Sequence, residues 1–460
     1  MITYEATWES LQNYSVPNWF MDDKLGIFIH WGVYAVPAYG NEWYPRNMYI
    51  EGSQEYKHHQ KIWGDQSHFG YKDFISMFKA ENWDPGSWVD LFKKSGARFI
   101  VPVAEHHDGF PMYNCSFTNW NAAQMGPKRD IIAELESSVR ETGLKFGLST
   151  HRAFNYHYFT FSERYDNYLP EFHKLYGVPH PTETPVTYEF ILDWYARTCE
   201  LVDRFSPDVL WFDFGWHRSE FQPWHPRILA YYYNHGIEHG YEPVLQYKGV
   251  LPDNVAVYDI ERGKLDDIRR YYWQTDTSIS YKSWGYIEDD EFKSATSIIH
   301  DLVDIVSKNG NLLLNVGPKP DGTIPTGAIK VLQDLGSWLE VNGEAIFGTR
   351  HWLTYGEGPT GTPRSFHEKE QAAYTSKDIR FTQKDHALYA ICLGWPGEQI
   401  KINTLHSNSP INGRKIAKVS MLGSDQQLSW TQDGTGLAIQ TPVQKPGEHA
   451  YTFKITLTKV

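Results

Sequence analysis

The sequence of 460 residues has few cysteines and no long apolar run. Cys115, Cys199 and Cys392 are widely spaced, odd in number and outside any Cys-x-x-Cys pair, so neither a disulfide framework nor a thiolate metal site is indicated. No stretch of about 18 apolar residues and no basic segment followed by an apolar one is present, so no transmembrane helix or signal peptide is predicted. We expect a soluble protein that is cytoplasmic as given, or periplasmic or secreted if a signal peptide has been removed.

Positive charge is also scarce. The chain has 43 Lys and Arg against 56 Asp and Glu, a formal net charge of -13 and an isoelectric point near 5.8. Nucleic acids and anionic membranes are bound through basic surfaces, so we expect neither as a partner. The 18 Trp, 30 Tyr and 24 Phe make up 16% of the chain. Aromatic rings pack well against sugar faces, but they also fill protein cores, so composition alone supports both interpretations.

Short apolar segments recur along the first two thirds of the chain. They lie at residues 26–32, 98–107, 144–151, 208–215, 243–249, 255–263, 273–280 and 311–317. Near-continuous apolarity is typical of parallel strands that are buried on both faces. Amphipathic helical patterns occur between or after them, at residues 129–143, 187–205, 292–310 and 328–343.

This alternation predicts a (β/α)8-like barrel of the TIM type, with an open doubly wound sheet as the alternative. The link after "VLQYKG" is too short for a helix, so we expect an irregular barrel. After Thr349 the pattern changes to short alternating segments separated by turns such as "QDGTG", which predicts a C-terminal antiparallel β-sandwich. We therefore expect a catalytic barrel at residues 1–349 and a sandwich at residues 350–460.

Each predicted barrel strand ends in a polar side chain. The series is His30, His106 with His107, His151, Asp213, Lys248, Glu261, Asp276 and Asn315. In barrels the C-terminal ends of the strands face the active site, so we expect these side chains to converge. The aromatic-rich segment 33–85 follows the first strand, and we expect it to cover one side of the site.

Two chemistries fit this series. Asp213 and Glu261 could be the carboxylate pair of a retaining glycosidase, which stands about 5 to 5.5 Å apart, although structural ion pairs would also explain them. Alternatively, His30, His106, His151 and Asp213 could bind a metal that activates water. No His-x-His or His-Glu-x-x-His spacing is present, so the metal interpretation is disfavoured.

Several longer stretches carry a resemblance. They are "LGIFIHWGVYAVPAYGNEWY", "AEHHDGF", "TNWN", "GPKRDIIAELESSVRETGLKFGL", "DVLWFDFGW", "SWGY" and "GNLLLNVGPKPDGTIPTGAIKVLQDLGSWLEVNGEAIFGT", which together span residues 25–349. In combination and order they resemble the α-L-fucosidases of glycoside hydrolase family 29. The resemblance implies a retaining exo-glycosidase that releases terminal α-L-fucose from fucosylated oligosaccharides or glycoconjugates. It also implies a covalent fucosyl-enzyme intermediate and no metal or organic cofactor. A non-catalytic fucose-binding protein is the rival from another class.

The resemblance also implies roles for single residues. The nucleophile corresponds to Asp213 of "LWFD", and Glu261 is the predicted acid/base, with Glu288 and Asp259 as alternatives. The predicted substrate-binding residues are His30, Glu42, Trp43, His106, His107, His151, Trp211 and Trp284, the last near the sugar methyl group. Two positions depart from the family pattern, Glu105 where lysine is common and His151 where tyrosine is more usual, so the local hydrogen-bond network and the role of His151 are open.

Overall fold

The computed structural model describes residues 3–249, 251–361, 373–409, 411 and 414–458. Its first part is a closed barrel of eight parallel strands in chain order. The strands are β1 Leu25–Ile29, β2 Phe99–Glu105, β3 Lys145–Thr150, β4 Val209–Phe212, β5 Val244–Tyr247, β6 Val257–Asp259, β7 Trp273–Ser278 and β8 Gly310–Val316. Each predicted apolar segment overlaps one of them. The barrel is therefore confirmed, and the pairing of β1 with β8 excludes an open sheet.

Helices surround the barrel and fill its loops. They are α1 Trp8–Leu11, α2 Asn18–Asp23, α3 Tyr44–Asn47, α4 Gln54–Ile62, α5 Pro85–Lys94, α6 Ile131–Glu141, α7 Arg152–Tyr158, α8 His173–Tyr176, α9 Tyr188–Phe205, α10 His225–His239, α11 Ala295–Ser307 and α12 Thr326–Asn342. The four predicted helical segments overlap α6, α9, α11 and α12. The described residues of the β5–β6 and β6–β7 connections, 248, 249, 251–256 and 260–272, form no helix, as expected for an irregular barrel.

Helix α6 illustrates how the sequence determines these elements. The side chain of Asp130 accepts a hydrogen bond from the backbone N–H of Ala133 and so caps the first turn. Four apolar residues, Ile131, Ile132, Leu135 and Val139, share the face that is buried against the barrel. Each such burial stabilises the fold by roughly 1.5 to 3 kcal/mol relative to an exposed side chain. Gly143, with φ of 77°, lies just beyond the helix end and allows the chain to turn into β3.

The barrel interior holds an apolar cluster below the polar C-terminal ends of the strands. Phe28, Phe99, Val209, Trp211 and Leu313 belong to one buried cluster inside the barrel. Position 26 in β1 requires glycine, because a Cβ atom there would lie 2.2 Å from the ring of Phe99. This cluster lies beneath the C-terminal ends of the strands, where the loops of such barrels form the ligand site.

The C-terminal part is antiparallel. Its strands are β9 Arg350–Glu357, β10 Ile379–Lys384, β11 Ala387–Cys392, β12 Gln399–Ile402, β13 Ile416–Met421, β14 Trp430–Asp433, β15 Gly436–Gln440 and β16 Tyr451–Leu457. They form a five-stranded sheet in the order β13-β16-β11-β10-β9 and a three-stranded sheet in the order β12-β15-β14. Phe381, Leu388, Ile402, Leu437 and Phe453 belong to the shared core, which confirms the predicted antiparallel fold. Among the described helices, none combines the length and apolarity needed to cross a bilayer.

Candidate active site

A cavity of about 70 Å³ lies at the C-terminal ends of the barrel strands. Its lining residues are His30, Glu42, Trp43, His106, His107, His151, Trp211, Asp213, Phe214, Lys248, Glu261, Asp276 and Trp284. All ten residues predicted for the site are among them. Phe214, Lys248 and Asp276 are additional, while Glu288 and Asp259, the alternative acid/base residues, do not line the cavity.

Asp213 follows β4 directly and is 5% exposed. Its Oδ2 accepts a hydrogen bond from Nε2 of His107 at 3.0 Å, and its Oδ1 lies 3.1 Å from Nζ of Lys248. Nδ1 of His151 lies 3.2 Å from Oδ2, outside hydrogen-bond alignment. Burial alone raises the pKa of Asp213, but the charge of Lys248 and the contacts of His151 and His107 outweigh it and hold the pKa well below its usual range. The group is therefore an anion, as an attacking carboxylate must be.

His107 is held at both ring nitrogens. Its Nδ1 lies 2.9 Å from the carbonyl oxygen of His151, and its Nε2 lies 3.0 Å from Oδ2 of Asp213. These two contacts fix the orientation of the ring beside Asp213.

His30 is oriented by Asn315. The amide nitrogen of Asn315 donates to Oγ of Ser278 at 3.0 Å and to the carbonyl oxygen of Trp284 at 2.7 Å, which orients the amide. Its Oδ1 therefore accepts from Nδ1 of His30 at 2.7 Å, and Nε2 of His30 remains as an acceptor for a ligand. Burial lowers the pKa of both His30 and His106 well below the usual range, so both rings are neutral and suit an uncharged, hydroxyl-rich ligand.

The segment between β1 and β2 packs over the site. Its Glu42 accepts hydrogen bonds at Oε2 from Oγ of Ser283 at 3.1 Å and from the backbone N–H of Trp284 at 2.9 Å. Burial raises the pKa of Glu42 despite these bonds. The ring of the next residue, Trp43, lies almost parallel to that of Phe214, with centroids 6.0 Å apart. Glu42 thus ties the segment to the loop after β7, and the two aromatic rings line the cavity.

Lys248, which follows β5, links the carboxylates of the site. Its Nζ lies 3.1 Å from Oδ1 of Asp213, 2.9 Å from Oε2 of Glu261 and 3.4 Å from Oδ2 of Asp276. The shared ammonium limits the distance between the Asp213 and Glu261 oxygens to about 6 Å, which is below the roughly 6.5 to 9.5 Å of inverting glycosidases. In the sequence Lys248 is one of the residues at the strand ends, without a predicted role, and its position in that series was the signal that pointed to it.

Asp259 and Glu288 are both engaged elsewhere. Asp259 is the last residue of β6, and its Oδ2 accepts from Nε1 of Trp211 at 3.2 Å. Burial is the largest influence on the pKa of both Asp259 and the adjacent Asp276. It raises the pKa of Asp259, and the pKa of Asp276 lies well above the usual range. Glu288 is exposed, and its backbone N–H donates to the carbonyl oxygen of Ala38. Glu261 is therefore the candidate acid/base that reaches the cavity.

Glu105, one of the two departures from the family pattern, belongs to a buried network. The buried carboxylate of Glu105 accepts from Nη1 of Arg152 at 3.2 Å and of Arg197 at 3.4 Å. Arg152 also donates to Oδ1 of Asn155 at 2.9 Å, and Asn155 donates to the carbonyl oxygen of His107 at 2.7 Å. The network therefore supports the backbone that holds the histidine beside Asp213.

Histidine and carboxylate atoms lie close enough to be considered as metal ligands. The two groups are His30 with His106 and His151, and His107 with His151 and Asp213, whose ligand atoms lie within 4.8 Å of one another. The ammonium of Lys248, 3.1 Å from Asp213, would repel a cation held there. Nδ1 of His30 is already bonded to Asn315. These contacts favour organic recognition over metal binding.

Comparison with known proteins agrees with this geometry. A family profile described as Alpha-L-fucosidase matches residues 2–344, and one described as Alpha-L-fucosidase C-terminal domain matches residues 371–456. Tissue alpha-L-fucosidase of Bos taurus is 31% identical over 99% of this chain and 92% of its own, and plasma alpha-L-fucosidase of Homo sapiens is 33% identical over 95% and 88%. The structure of Thermotoga maritima alpha-fucosidase in complex with fucose matches with a TM-score of 0.80 and 34% identity, covering 98% of this chain and 100% of that one. This chain belongs to the α-L-fucosidase family of glycoside hydrolases.

Proposed function

We propose that the protein removes terminal α-L-fucose from fucosylated glycans, with Asp213 as nucleophile and Glu261 as general acid and base. The observation that supports this assignment is the ammonium of Lys248, which contacts both carboxylates and limits the distance between the two contacting oxygens to about 6 Å, below the separation of inverting enzymes. Asp213 supplies the anion, because His107 and Lys248 hold its charge. Glu261 is the more accessible of the two, with 26% of its side chain exposed against 6% for Asp213.

In the first step Asp213 attacks the anomeric carbon while Glu261 gives its proton to the departing glycosidic oxygen. The bond to the leaving group breaks, and a fucosyl ester of Asp213 forms. In the second step Glu261 takes a proton from water, whose oxygen attacks the same carbon and releases fucose with its original configuration. In the ester the charge of Asp213 is lost, and the ammonium of Lys248 keeps its contact with Oε2 of Glu261 at 2.9 Å.

The sugar is recognised by neutral groups and aromatic surface. His30 and His106 are uncharged acceptors for hydroxyl groups, and Glu42 is a further acceptor at the cavity wall. Trp284 provides an apolar face for the sugar methyl group, and Trp43 packs beside the opening. These contacts position the anomeric carbon, and hydrogen bonds to the ring hydroxyls can tighten as it gains positive charge.

We also propose a division of labour between two domains. Residues 1–349 would form the catalytic barrel, and residues 350–460 the separate β-sandwich. Two observations support this boundary: every residue that lines the cavity precedes residue 349, and β9 begins at Arg350.

Two variants test the assignment. Asp213→Ala should abolish turnover of both an aryl fucoside and a fucosyl disaccharide, and azide should restore some rate by forming the inverted β-fucosyl azide. Glu261→Ala should slow the disaccharide far more than an aryl fucoside whose leaving group needs no proton, and azide should then give the retained α-fucosyl azide. Glu288→Ala, on an exposed side chain, is the matched control and should behave as the native protein. If Glu261→Ala barely lowers activity, the acid/base is reassigned to Glu288 or Asp259.

A further inference from the structure

The loop that carries Glu261 is held by neighbouring elements, among them Lys248, whose Nζ lies 2.9 Å from Oε2 of Glu261. It spans residues 260–272 between β6 and β7 and contains no helix. Its first turn is fixed to β7, because the backbone N–H of Arg262 donates to the carbonyl oxygen of Asp276 at 2.8 Å and Oγ1 of Thr275 donates to that of Gly263 at 2.9 Å. The position of this turn therefore depends on β7 and on the contacts made by the residues beyond Gly263.

The residues after this turn are held by the second half of α11 and by Lys308, which follows it. Nζ of Lys264 lies 2.5 Å from Oδ1 of Asp301, and Nζ of Lys308 donates to the carbonyl oxygen of Leu265 at 2.7 Å. Lys264 is three residues from Glu261, a chain length of at most about 11 Å. The anchor therefore acts close to the catalytic carboxylate.

The β-sandwich forms an ion pair with the same part of α11. Nε of Arg380, in β10, lies 2.6 Å from Oδ1 of Asp304, whose Oδ2 lies 2.8 Å from Nζ of Lys308. All three side chains are at most 1% exposed. Asp304 thus joins a cation of the sandwich to the lysine that holds the loop.

Two tyrosines of the sandwich complete the contact. The ring centroid of Tyr374 lies 5.6 Å from Nζ of Lys264 and 5.0 Å from the guanidinium of Arg380. That of Tyr355 lies 4.6 Å from Nζ of Lys308. Cations over aromatic faces at these distances are attracted to the ring, so the sandwich touches the loop directly as well as through α11.

We propose that the C-terminal β-sandwich positions the general acid, with Arg380 and Tyr374 as positioning residues for the Glu261 loop. The proposal rests on the role of Glu261 proposed above. A buried ion network tolerates little displacement, because moving one partner leaves another charge without compensation. Proton transfer to the leaving oxygen requires hydrogen-bond reach, and a misplacement of about 1 Å can cost roughly 100-fold in rate.

The test compares two substrates in Arg380→Met and Tyr374→Leu. One is a fucosyl disaccharide, which needs the acid, and the other is a dinitrophenyl fucoside, which does not. Active sites are counted with a mechanism-based fucosyl inhibitor, so misfolded protein is excluded. We expect the ratio of kcat/KM for the disaccharide to that for the aryl fucoside to fall about tenfold or more in both variants. Arg380→Lys should retain most of the native ratio.

Arg350→Met is the control, since Arg350 joins the sandwich to Asp22 at 2.6 Å without touching the loop, and its ratio should stay native. Glu261→Gln is measured beside the other variants. If Glu261→Gln lowers the ratio but neither Arg380→Met nor Tyr374→Leu does, the sandwich is only a structural support and the inference is wrong. If Glu261→Gln itself leaves the ratio unchanged, the proposed acid/base is wrong instead.

Discussion

Replacing Lys248 by methionine should weaken the proposed nucleophile in a measurable way. The substitution removes a positive charge 3.1 Å from Oδ1 of Asp213. At an effective dielectric constant of about 20, two unit charges at that distance attract by roughly 5 kcal/mol. His107 and His151 remain in contact with the carboxylate and compensate for part of the lost attraction. If they recover about half, the loss of roughly 2 to 3 kcal/mol corresponds to on the order of 100-fold in kcat/KM.

The pH dependence gives the direction of the effect. Asp213 attacks only when ionised, and Lys248 is the largest of the influences that lower its pKa. Without that charge, burial, which raises the pKa, is opposed only by the histidines. The acid limb of kcat/KM should therefore move to higher pH, so that activity is lost earlier as the pH falls.

The assay is a pH profile of kcat/KM on a dinitrophenyl fucoside, so that proton donation by Glu261 does not contribute. Lys248→Arg keeps the charge and should retain a profile close to that of the native protein. A Lys248→Met profile that superimposes on the native one, with the same plateau, would refute the electrostatic role of this residue.

Further predictions concern recognition, metals and stability. His30→Ala should lower kcat/KM about tenfold, because one hydrogen bond to a sugar hydroxyl is lost, as steady-state kinetics can show. Trp284→Ala should reduce the preference for a fucoside over its 6-hydroxylated analogue about tenfold, measured as a ratio of kcat/KM. Exhaustive treatment with a chelator should leave turnover unchanged, and restoration by added zinc or manganese after a loss would contradict the metal-free mechanism. Glu105→Gln should lower the free energy of unfolding by about 3 kcal/mol in urea titrations, because Arg152 and Arg197 lose a buried partner; an unchanged midpoint would argue against this.

The barrel strands could be predicted from sequence because each is buried on both faces and so is almost continuously apolar. Helix α10 has no clear amphipathic pattern in the sequence. It contains a run of tyrosines, of which Tyr232 and Tyr233 are buried, so the sequence does not separate an apolar face from a polar one. The burial of Arg380 in β10 could not be predicted either. Arg380 is 1% exposed, but a charged residue in a short segment indicates surface when its partner Asp304 is distant in sequence.

The strand-end rule located the site but could not rank its carboxylates. Asp259 and Glu261 are two residues apart, and sequence order favours neither strongly. The structure separates them because β6 ends at Asp259, whose side chain is still inside the barrel beneath Trp211, whereas Glu261 lies beyond the strand end and lines the cavity. Lys248 had no predicted role because its importance depends on three carboxylates that meet only in the folded barrel.

Burial alone does not decide which carboxylate of the site holds the negative charge. Asp213 and Asp276 are both almost fully buried, and burial is the largest single influence on the pKa of each, raising it in both cases. Asp213 nevertheless has a lowered pKa, because Lys248, His107 and His151 all approach it within 3.2 Å. Asp276 meets Lys248 only at 3.4 Å and lies beside the carboxylate of Asp259, which raises its pKa further. The barrel thus brings several carboxyl groups to one cavity but stabilises the anion at Asp213, as its proposed role of nucleophile requires.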